Sequence, residues 1–469
     1  MTNPLLSDWN TAFGIAPFDK ISDKDFSSAL DEALAANMAE TRAIAEQKEA
    51  PTFENTIHAM LATDCDLDKV LSIFYTLSGA DSNPAREALM REFSPKLSAH
   101  TSEIIANEAL FHRIDSLWKK RHELGLNAEE ARVLMLTHRN FVRSGAALKG
   151  AEKERMKDIK SRLSILGTDF SQNLLADERD WFMPLAEADM EGLPDFLISA
   201  AKVAAKEKGH SGAIITLSRS VVVPFLQFSP RRDLRQKAYA AWAARGANGG
   251  KSDNRALAKE MLALRQEMAD LLGHSDFASF KLETEMAKTP QNARQLLTDV
   301  WAPAKQRADQ DAQILTEMMH RDGLKGQLEK WDWRYYAEKR CKSKHDLDEA
   351  EVKPYFQLDQ MINAAFDCAH RLFSLDFKAV DVPLYHPDCR AWEVTRTGQH
   401  VALFIGDYFA RGSKRSGAWC SAMRAQAKLP NHQSPIVINV CNFNKSDPAL
   451  LSYDDARTLF HEFGHALHQ

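Results

Sequence analysis

Two histidines and a glutamate near residue 469 have the residue types and the spacing of a metal site. His461, Glu462 and His465 form the pattern His-Glu-x-x-His. Residues four apart on a helix lie one turn apart on the same face, so both imidazoles could bind one Zn²⁺. Glu462 is rotated away from that line and could act as general base towards a zinc-bound water that attacks a carbonyl. The pattern therefore predicts metal-assisted hydrolysis, with His461 and His465 as ligands and Glu462 as the catalytic residue.

The surrounding residues predict a well-defined helix for this pattern. Ser452 is a good N-cap, and Asp455 three residues later completes a capping box. An apolar stripe for burial is formed by Phe460, Phe463 and Leu467. His468 follows on nearly the same side as His461, but its reach to the same ion is awkward. We interpret His468 as a substrate-facing or supporting group rather than as a ligand.

The third ligand is not supplied by the pattern itself. Metzincins continue as His-Glu-x-x-His-x-x-Gly-x-x-His, whereas His468 occupies the glycine position here. A third protein ligand must then come from a separate segment, and we expect a glutamate beyond residue 469. Two alternatives remain open: an inactive, truncated fragment that lacks the third zinc ligand, or a second chain that completes the site.

Composition excludes several other classes of function. The chain has 469 residues, a net charge of −5, 44% hydrophobic and 27% charged residues, as expected of a globular protein. A negative net charge does not indicate a basic surface for binding nucleic acid or an anionic membrane. No apolar run is long enough for a membrane span, and the first residues do not form a secretion signal. Six dispersed cysteines suit reduced thiols and a cytoplasmic location. The sequence does not indicate an oligomeric state.

Apolar residues recur at helical spacing along most of the chain, which predicts a mostly α protein with a small β-sheet near the zinc helix. Short strands are predicted at 214–217 and 221–223. A hairpin is predicted from 391–395 and 401–405 around a turn at 397–399, and a further strand at 436–440. The best boundary lies near 207–225, which gives an N-terminal helical region, 1–215, and a catalytic region, 216–469.

A glycine-rich segment at 246–252 invites comparison with a phosphate-binding loop. Arg245 stands where such a loop would have its first glycine, and a helix precedes the segment where a strand is required. We therefore interpret the segment as an ordinary loop.

Several segments together resemble one family. Residues 458–468 resemble the active-site helix of the M3 family of zinc oligopeptidases, the thimet oligopeptidase family. Similar segments run along essentially the whole chain: 51–56, 331–336, 347–356, 406–411, 414–419 and 439–443. The likeness is strongest with the bacterial peptidyl-dipeptidase, or dipeptidyl carboxypeptidase, branch.

The resemblance implies a zincin-like fold in which two helical lobes flank a deep channel with one zinc ion on its floor. Short, unfolded peptides would be the substrates, and C-terminal dipeptides the products; a general oligopeptide endopeptidase is the alternative. The third ligand and the groups that bind the oxyanion and the substrate carboxylate would lie beyond residue 469. Substrate could pair with a sheet edge near Gly417 and Ala418, which with His468 are the candidate substrate-binding residues.

Overall fold

The computed structural model describes residues 3–63, 65–345, 353–415, 417–429, 432–443, 445 and 448–469. The chain divides into two compact units, the first formed by Met1–Ala147 and Glu349–Gln469 and the second by Leu148–Asp348. The boundary expected near 215 lies inside the second unit and does not separate the two compact units. The division into a helical region, 1–215, and a catalytic region, 216–469, stays a prediction. Residues 346–352, which include most of segment 347–356, lie outside the described residues.

The N-terminal part of the first unit is helical. Its α-helices are α1 (Asp25–Ala45), α2 (Ala59–Leu61), α3 (Cys65–Ala80), α4 (Pro84–Ala106), α5 (Glu108–Lys119) and α6 (Ala128–Arg143). The predicted helical spacing is confirmed in α1, where Phe26 and Leu30 are fully buried. The Phe26 ring meets Phe74 of α3 at 5.4 Å, and Phe74 meets Phe93 of α4 at 4.5 Å. These aromatic contacts join α1, α3 and α4 into one core.

The second unit is also mostly helical. Its elements are α7 (Gly150–Asp180), β1 (Phe182–Leu185), α8 (Asp195–Glu207), β2 (Ala213–Thr216), α9 (Arg219–Phe228), α10 (Arg232–Ala243), α11 (Arg255–Leu271), α12 (Phe277–Leu282), α13 (Pro290–Arg321) and α14 (Trp333–His345). β1 and β2 form an antiparallel pair, which confirms the strand predicted at 214–217. The strand predicted at 221–223 is wrong, because these residues lie within α9. A short apolar run fits a buried helix as well as a strand.

The sheet of the first unit contains β3 (Leu375–Val380), β4 (Arg390–Arg396), β5 (Gln399–Phe409), β6 (Trp419–Arg424) and β7 (Ile436–Phe443). Its strand order is β3-β4-β5-β7-β6, with β5 and β7 parallel and the other neighbours antiparallel. The predicted hairpin is confirmed: Thr397 and Gly398 turn with φ of 50° and 77° between β4 and β5. The strand predicted at 436–440 is β7.

Two helices cover this sheet, α15 (Leu358–Phe373) and α16 (Tyr453–His468), and α16 packs against β6, β7 and α15. Their shared core contains Leu459 and Phe463 of α16 together with Phe404 of β5. The predicted mostly α class with a small sheet beside the histidine helix is therefore confirmed. None of the helices in the described residues combines the length and the apolar character that a membrane crossing requires.

Candidate active site

Helix α16 holds the predicted metal ligands. It begins after Ser452, whose hydroxyl accepts a hydrogen bond from the backbone N–H of Asp455 at 3.0 Å. The Asp455 carboxylate in turn accepts one from the backbone N–H of Ser452 at 3.0 Å. The predicted capping box is thus confirmed, and it satisfies two backbone donors that the first turn would otherwise leave unpaired.

Aromatic packing fixes the rotation of α16 about its own axis. The Phe463 ring lies 5.7 Å from Phe366 of α15, 5.5 Å from Phe377 of β3 and 5.5 Å from Phe404 of β5. Because Phe463 must face this cluster, the residues two positions before and after it turn towards the opposite side. Those residues are His461 and His465, and both are exposed.

The two histidines meet as the spacing predicts. Their Nε2 atoms lie 3.1 Å apart, and their ring centroids are separated by 4.7 Å. Two imidazoles bound to one tetrahedral zinc ion at 2.0–2.1 Å would place their nitrogens about 3.3 Å apart. The pair therefore fits a zinc ion with only a small adjustment. Among the described residues, no group of three or more His, Cys, Asp or Glu side chains comes together to hold a metal. The location of a third ligand stays a prediction.

Glu462 lies about 60° around the helix axis from His465, and it is buried whereas the two histidines are exposed. It is 6% exposed and lies towards the sheet, beside Cys420 of β6 and Cys441 of β7. Burial, and then the Glu462 carboxylate, raise the pKa of Cys420 to about 12. The same two causes raise the pKa of Cys441. Both thiols are therefore protonated near neutral pH, so neither is a ready nucleophile or metal ligand.

The pair of thiols next to Glu462 was not anticipated from the sequence. Cys420 and Cys441 are spaced far apart in the chain, and only the antiparallel pairing of β6 with β7 brings them near one helix. Cys341, Cys368, Cys389, Cys420 and Cys441 are free, which agrees with the reduced thiols expected. The sheet register, which the sequence alone did not reveal, was needed to find this proximity.

The candidate substrate-binding residues all belong to the first compact unit. Gly417 has a φ of 98° and comes just before β6. Ala418 is partly buried against the core that contains Phe463. His468 is exposed in the last turn of α16. Gly417 and Ala418 thus belong to the same compact unit as the histidine pair, while their role in binding stays a prediction.

Within the described part of the chain, strand β6 has a neighbouring strand on one side only. It pairs with β7 from Trp419, opposite Val440, to Arg424, opposite Ile436, and it closes the described sheet at this edge. In an antiparallel pair, alternate residues direct their backbone N–H and C=O groups away from the partner. The outer side of β6 therefore offers backbone groups to an extended peptide, next to the helix that contains Glu462.

A buried group of charges lies where β5 ends. Asp407 is fully buried and accepts hydrogen bonds from Tyr385 Oη at 2.5 Å, from Arg411 at 2.5 and 2.8 Å, and from Lys414 Nζ at 2.7 Å. Burial by itself would raise the pKa of Asp407, but these hydrogen bonds outweigh it and lower the pKa. An acidic residue inside an otherwise apolar strand is the sequence signal for such a pair, since a buried charge needs a partner.

The glycine-rich segment of the second unit is occupied by a carboxylate of the chain itself. Asp177 of α7 accepts hydrogen bonds from the backbone N–H of Gly246 at 2.7 Å, from Asn248 Nδ2 at 2.8 Å and from the Ser252 hydroxyl. The donors that a phosphate would need are therefore used internally. The interpretation of 246–252 as an ordinary loop is confirmed.

Comparison with known proteins gives one consistent result. Residues 225–469 match the model of Peptidase family M3. The chain is similar to the dipeptidyl carboxypeptidases of Salmonella typhimurium, with 37% identity over 100% of this chain and 70% of the relative, and of Escherichia coli, with 35% identity over 99% and 70%. It is also similar to oligopeptidase A of Salmonella typhimurium, with 30% identity over 100% of this chain and 70% of that protein.

Proposed function

Because the chain belongs to peptidase family M3, and is a metallopeptidase by that membership, we propose that it hydrolyses short peptides and releases dipeptides from their C-terminal ends. The observation that carries the proposal is the arrangement of α16. Its exposed side holds two imidazoles 3.1 Å apart, and Glu462, which adjoins them on the helix, is buried towards the edge strand β6. A metal ion at the imidazoles and a peptide at β6 could thus both lie near the Glu462 carboxylate.

His461 and His465 are the side chains that would hold zinc, with a third ligand still to be identified. A bound Zn²⁺ supplies polarisation of the substrate carbonyl and a lowered pKa for water at the site. Glu462 accepts a proton from the attacking water and transfers it to the amine nitrogen as the C–N bond breaks. Its near-complete burial keeps the carboxylate in a low-dielectric setting, where its hydrogen bond to water is stronger.

Peptide binding is proposed at the outer edge of β6. An extended substrate would pair there with the backbone of β6 and of Gly417 and Ala418, so that recognition depends on main-chain groups rather than on side chains. Such pairing requires an unfolded segment, which supports short, flexible peptides as substrates. His468, in the last turn of α16, is the remaining candidate for a substrate contact.

The release of dipeptides is tested by product analysis. A peptide with a free C-terminus and the same peptide with a C-terminal amide are incubated with the zinc-loaded protein, and products are identified by mass spectrometry. The proposal expects successive dipeptides from the free peptide and at least a tenfold slower reaction of the amide, because a carboxylate contact worth about 1.4 kcal/mol changes a rate tenfold. Equal rates and internal cleavage of both peptides would instead establish a general oligopeptide endopeptidase.

Names of relatives support both modes, since dipeptidyl carboxypeptidases and oligopeptidase A are all similar to this chain. The inactive fragment that lacks a third zinc ligand is the alternative from another class, and it predicts neither bound zinc nor hydrolysis. The two-lobed channel, the third ligand beyond residue 469 and the cytoplasmic location remain predictions.

A further inference from the structure

The segment that leads into the edge strand is held by polar contacts with β5, β7 and the end of α3. We call residues 410–415, 417 and 418, between β5 and β6, the edge loop. Its position decides where the first residues of β6 lie, and therefore where a peptide paired with them would lie.

Lys414 anchors the edge loop from inside the protein. Its side chain is fully buried, a rare condition for lysine, which is almost never fully buried unless it is paired. Besides the Asp407 carboxylate, Lys414 Nζ donates to the backbone carbonyls of Phe409 at 2.6 Å and Cys441 at 2.9 Å. One ammonium group thus ties the end of β5 to β7 at the point where their register shifts.

Contacts with the end of α3 fix the outer side of the edge loop. Arg411 donates to the carbonyl of Ala80 at 2.7 Å, and the backbone N–H of Arg415 donates to the carbonyl of Gly79 at 2.8 Å. In the opposite direction, the backbone N–H of Ser82 donates to the carbonyl of Ser413 at 2.6 Å. These bonds join residues more than three hundred positions apart in the chain.

Asn442 of β7 holds the part of the edge loop nearest to β6. Its Nδ2 donates to the carbonyl of Arg415 at 2.9 Å and to the carbonyl of Gly417 at 2.6 Å. Gly417 needs its positive φ for this arrangement, since L side chains rarely adopt that conformation. The carbonyls of the loop are therefore turned towards β7, immediately before the strand edge begins.

We propose that Lys414 and Asn442 are positioning residues for the peptide. They fix the edge loop so that a peptide paired with the outer side of β6 lies at the correct position relative to Glu462. The proposal rests on the proposed function, because it assumes a peptide at this edge. Lys414 fixes the end at β5, and Asn442 fixes the end at β6.

Binding of backbone-modified peptides tests the proposal. The background is the Glu462→Gln protein, in which we expect a bound peptide to stay intact, and the probes are penta-alanine and its singly N-methylated analogues. Calorimetry gives the dissociation constant of each. If the edge pairs with the peptide, N-methylation at one or more positions weakens binding by about three- to tenfold, the value of a net hydrogen bond.

In the Lys414→Met and Asn442→Ala variants, we expect the dissociation constant of the N-methylated peptide to exceed that of penta-alanine by less than about twofold. Penta-alanine loses its hydrogen bond to the edge of β6 in these variants, whereas the methylated analogue has no such bond to lose. A variant that is merely less stable weakens both peptides equally and leaves the ratio unchanged. Lys445→Met is the matched control: Lys445 is exposed, pairs with Asp388 at 2.5 Å, and should keep the full ratio.

The possible results distinguish the positioning role of Lys414 and Asn442 from peptide binding at the edge of β6. An unchanged ratio in both variants overturns the positioning role while leaving peptide binding intact. If Lys414→Met does not fold, Asn442→Ala decides the question, because Asn442 lies near the surface and loses only two hydrogen bonds. If no N-methylation weakens binding in the background protein, or penta-alanine does not bind, the proposed edge site fails and the positioning role fails with it.

Discussion

The Nε2 atoms of His461 and His465 face each other across 3.1 Å on the exposed side of α16. This separation follows from three local causes: a spacing of four residues, a capped helix start at Ser452, and the burial of Phe463 among aromatic rings. The same rotation turns Glu462 towards the edge strand. One helix thereby holds both the pair of metal ligands and, about 60° around its axis from His465, the carboxylate that would act beside them.

Zinc affinity should depend on each histidine of the pair. We expect His461→Ala and His465→Ala each to weaken zinc binding by more than about 100-fold, because even outer partners of ligands change affinity by about 10–100-fold. Competition with a chromogenic chelator measures the affinity. His468→Ala is the control on the same helix and should keep the affinity within a factor of about two, since His468 is not a proposed ligand. Equal losses from His468→Ala and His465→Ala would mean that the ligand set is wrong.

The N-cap of α16 should contribute measurable stability. Ser452→Ala removes the hydroxyl that accepts from the Asp455 N–H, and we expect a loss of about 1 kcal/mol in the free energy of unfolding. Urea titration followed by circular dichroism is the measurement. Ser102→Ala, at an exposed position of α4, should change stability by less than about 0.5 kcal/mol. If both variants match the parent protein, the capping box does not stabilise the helix.

Asp407 should give the protein an acid-sensitive contribution to stability. Its pKa is lowered in the folded state, so its contribution is complete above the unfolded value of about 3.9 and is lost as the pH falls through the folded pKa. We expect Asp407→Asn to cost about 3–5 kcal/mol at pH 7, because it breaks a buried charge pair. The difference in the free energy of unfolding between the parent and Asp407→Asn should then become smaller below about pH 4.

Urea titrations between pH 7 and pH 3 measure that gap. The exposed Asp381 offers the control, and Asp381→Asn should stay within about 0.5 kcal/mol of the parent at each pH. A gap for Asp407→Asn that stays constant to pH 3 would contradict a lowered pKa at Asp407.

Cys420 should report on the charge of Glu462. With a pKa of about 12, about one Cys420 thiol in ten thousand is ionised at pH 8. Iodoacetamide should therefore label Cys420 far more slowly than the exposed Cys341, as followed by mass spectrometry of chelator-treated protein. Glu462→Gln removes the negative charge beside the thiol and should speed labelling several-fold. If Glu462→Gln leaves the labelling rate of Cys420 unchanged, the Glu462 carboxylate does not contribute to the raised pKa of Cys420.

Local features of the fold were predictable because their causes are local. Ser452 and Asp455 gave the start of α16, and Thr397 with Gly398 gave the turn between β4 and β5. The strand prediction at 221–223 failed because it considered too short a run of apolar residues. Phe225 and Leu226 are also buried, and together with Val221 and Val222 they have helical spacing.

Contacts made by distant segments were not predictable in this way. The pairing of β6 with β7 brings Cys420 and Cys441 to Glu462, and the bond from Arg411 to Ala80 joins the edge loop to α3. No spacing in the sequence encodes either contact. The charge of Asp407 within an apolar strand was a usable signal for a buried partner, although it could not identify Lys414.

The role of Glu462 as general base is tested by comparing the protein with its Glu462→Gln variant after zinc loading. Bound zinc is measured by atomic emission, and hydrolysis of an unblocked pentapeptide is measured by mass spectrometry. We expect one zinc ion per chain in both proteins, and hydrolysis by the variant at least about 100-fold slower than by the parent, the contribution of a general base. Full hydrolysis by Glu462→Gln with zinc retained would rule out Glu462 as the base, and a zinc-loaded parent that cleaves no peptide would rule out the proposed peptidase activity.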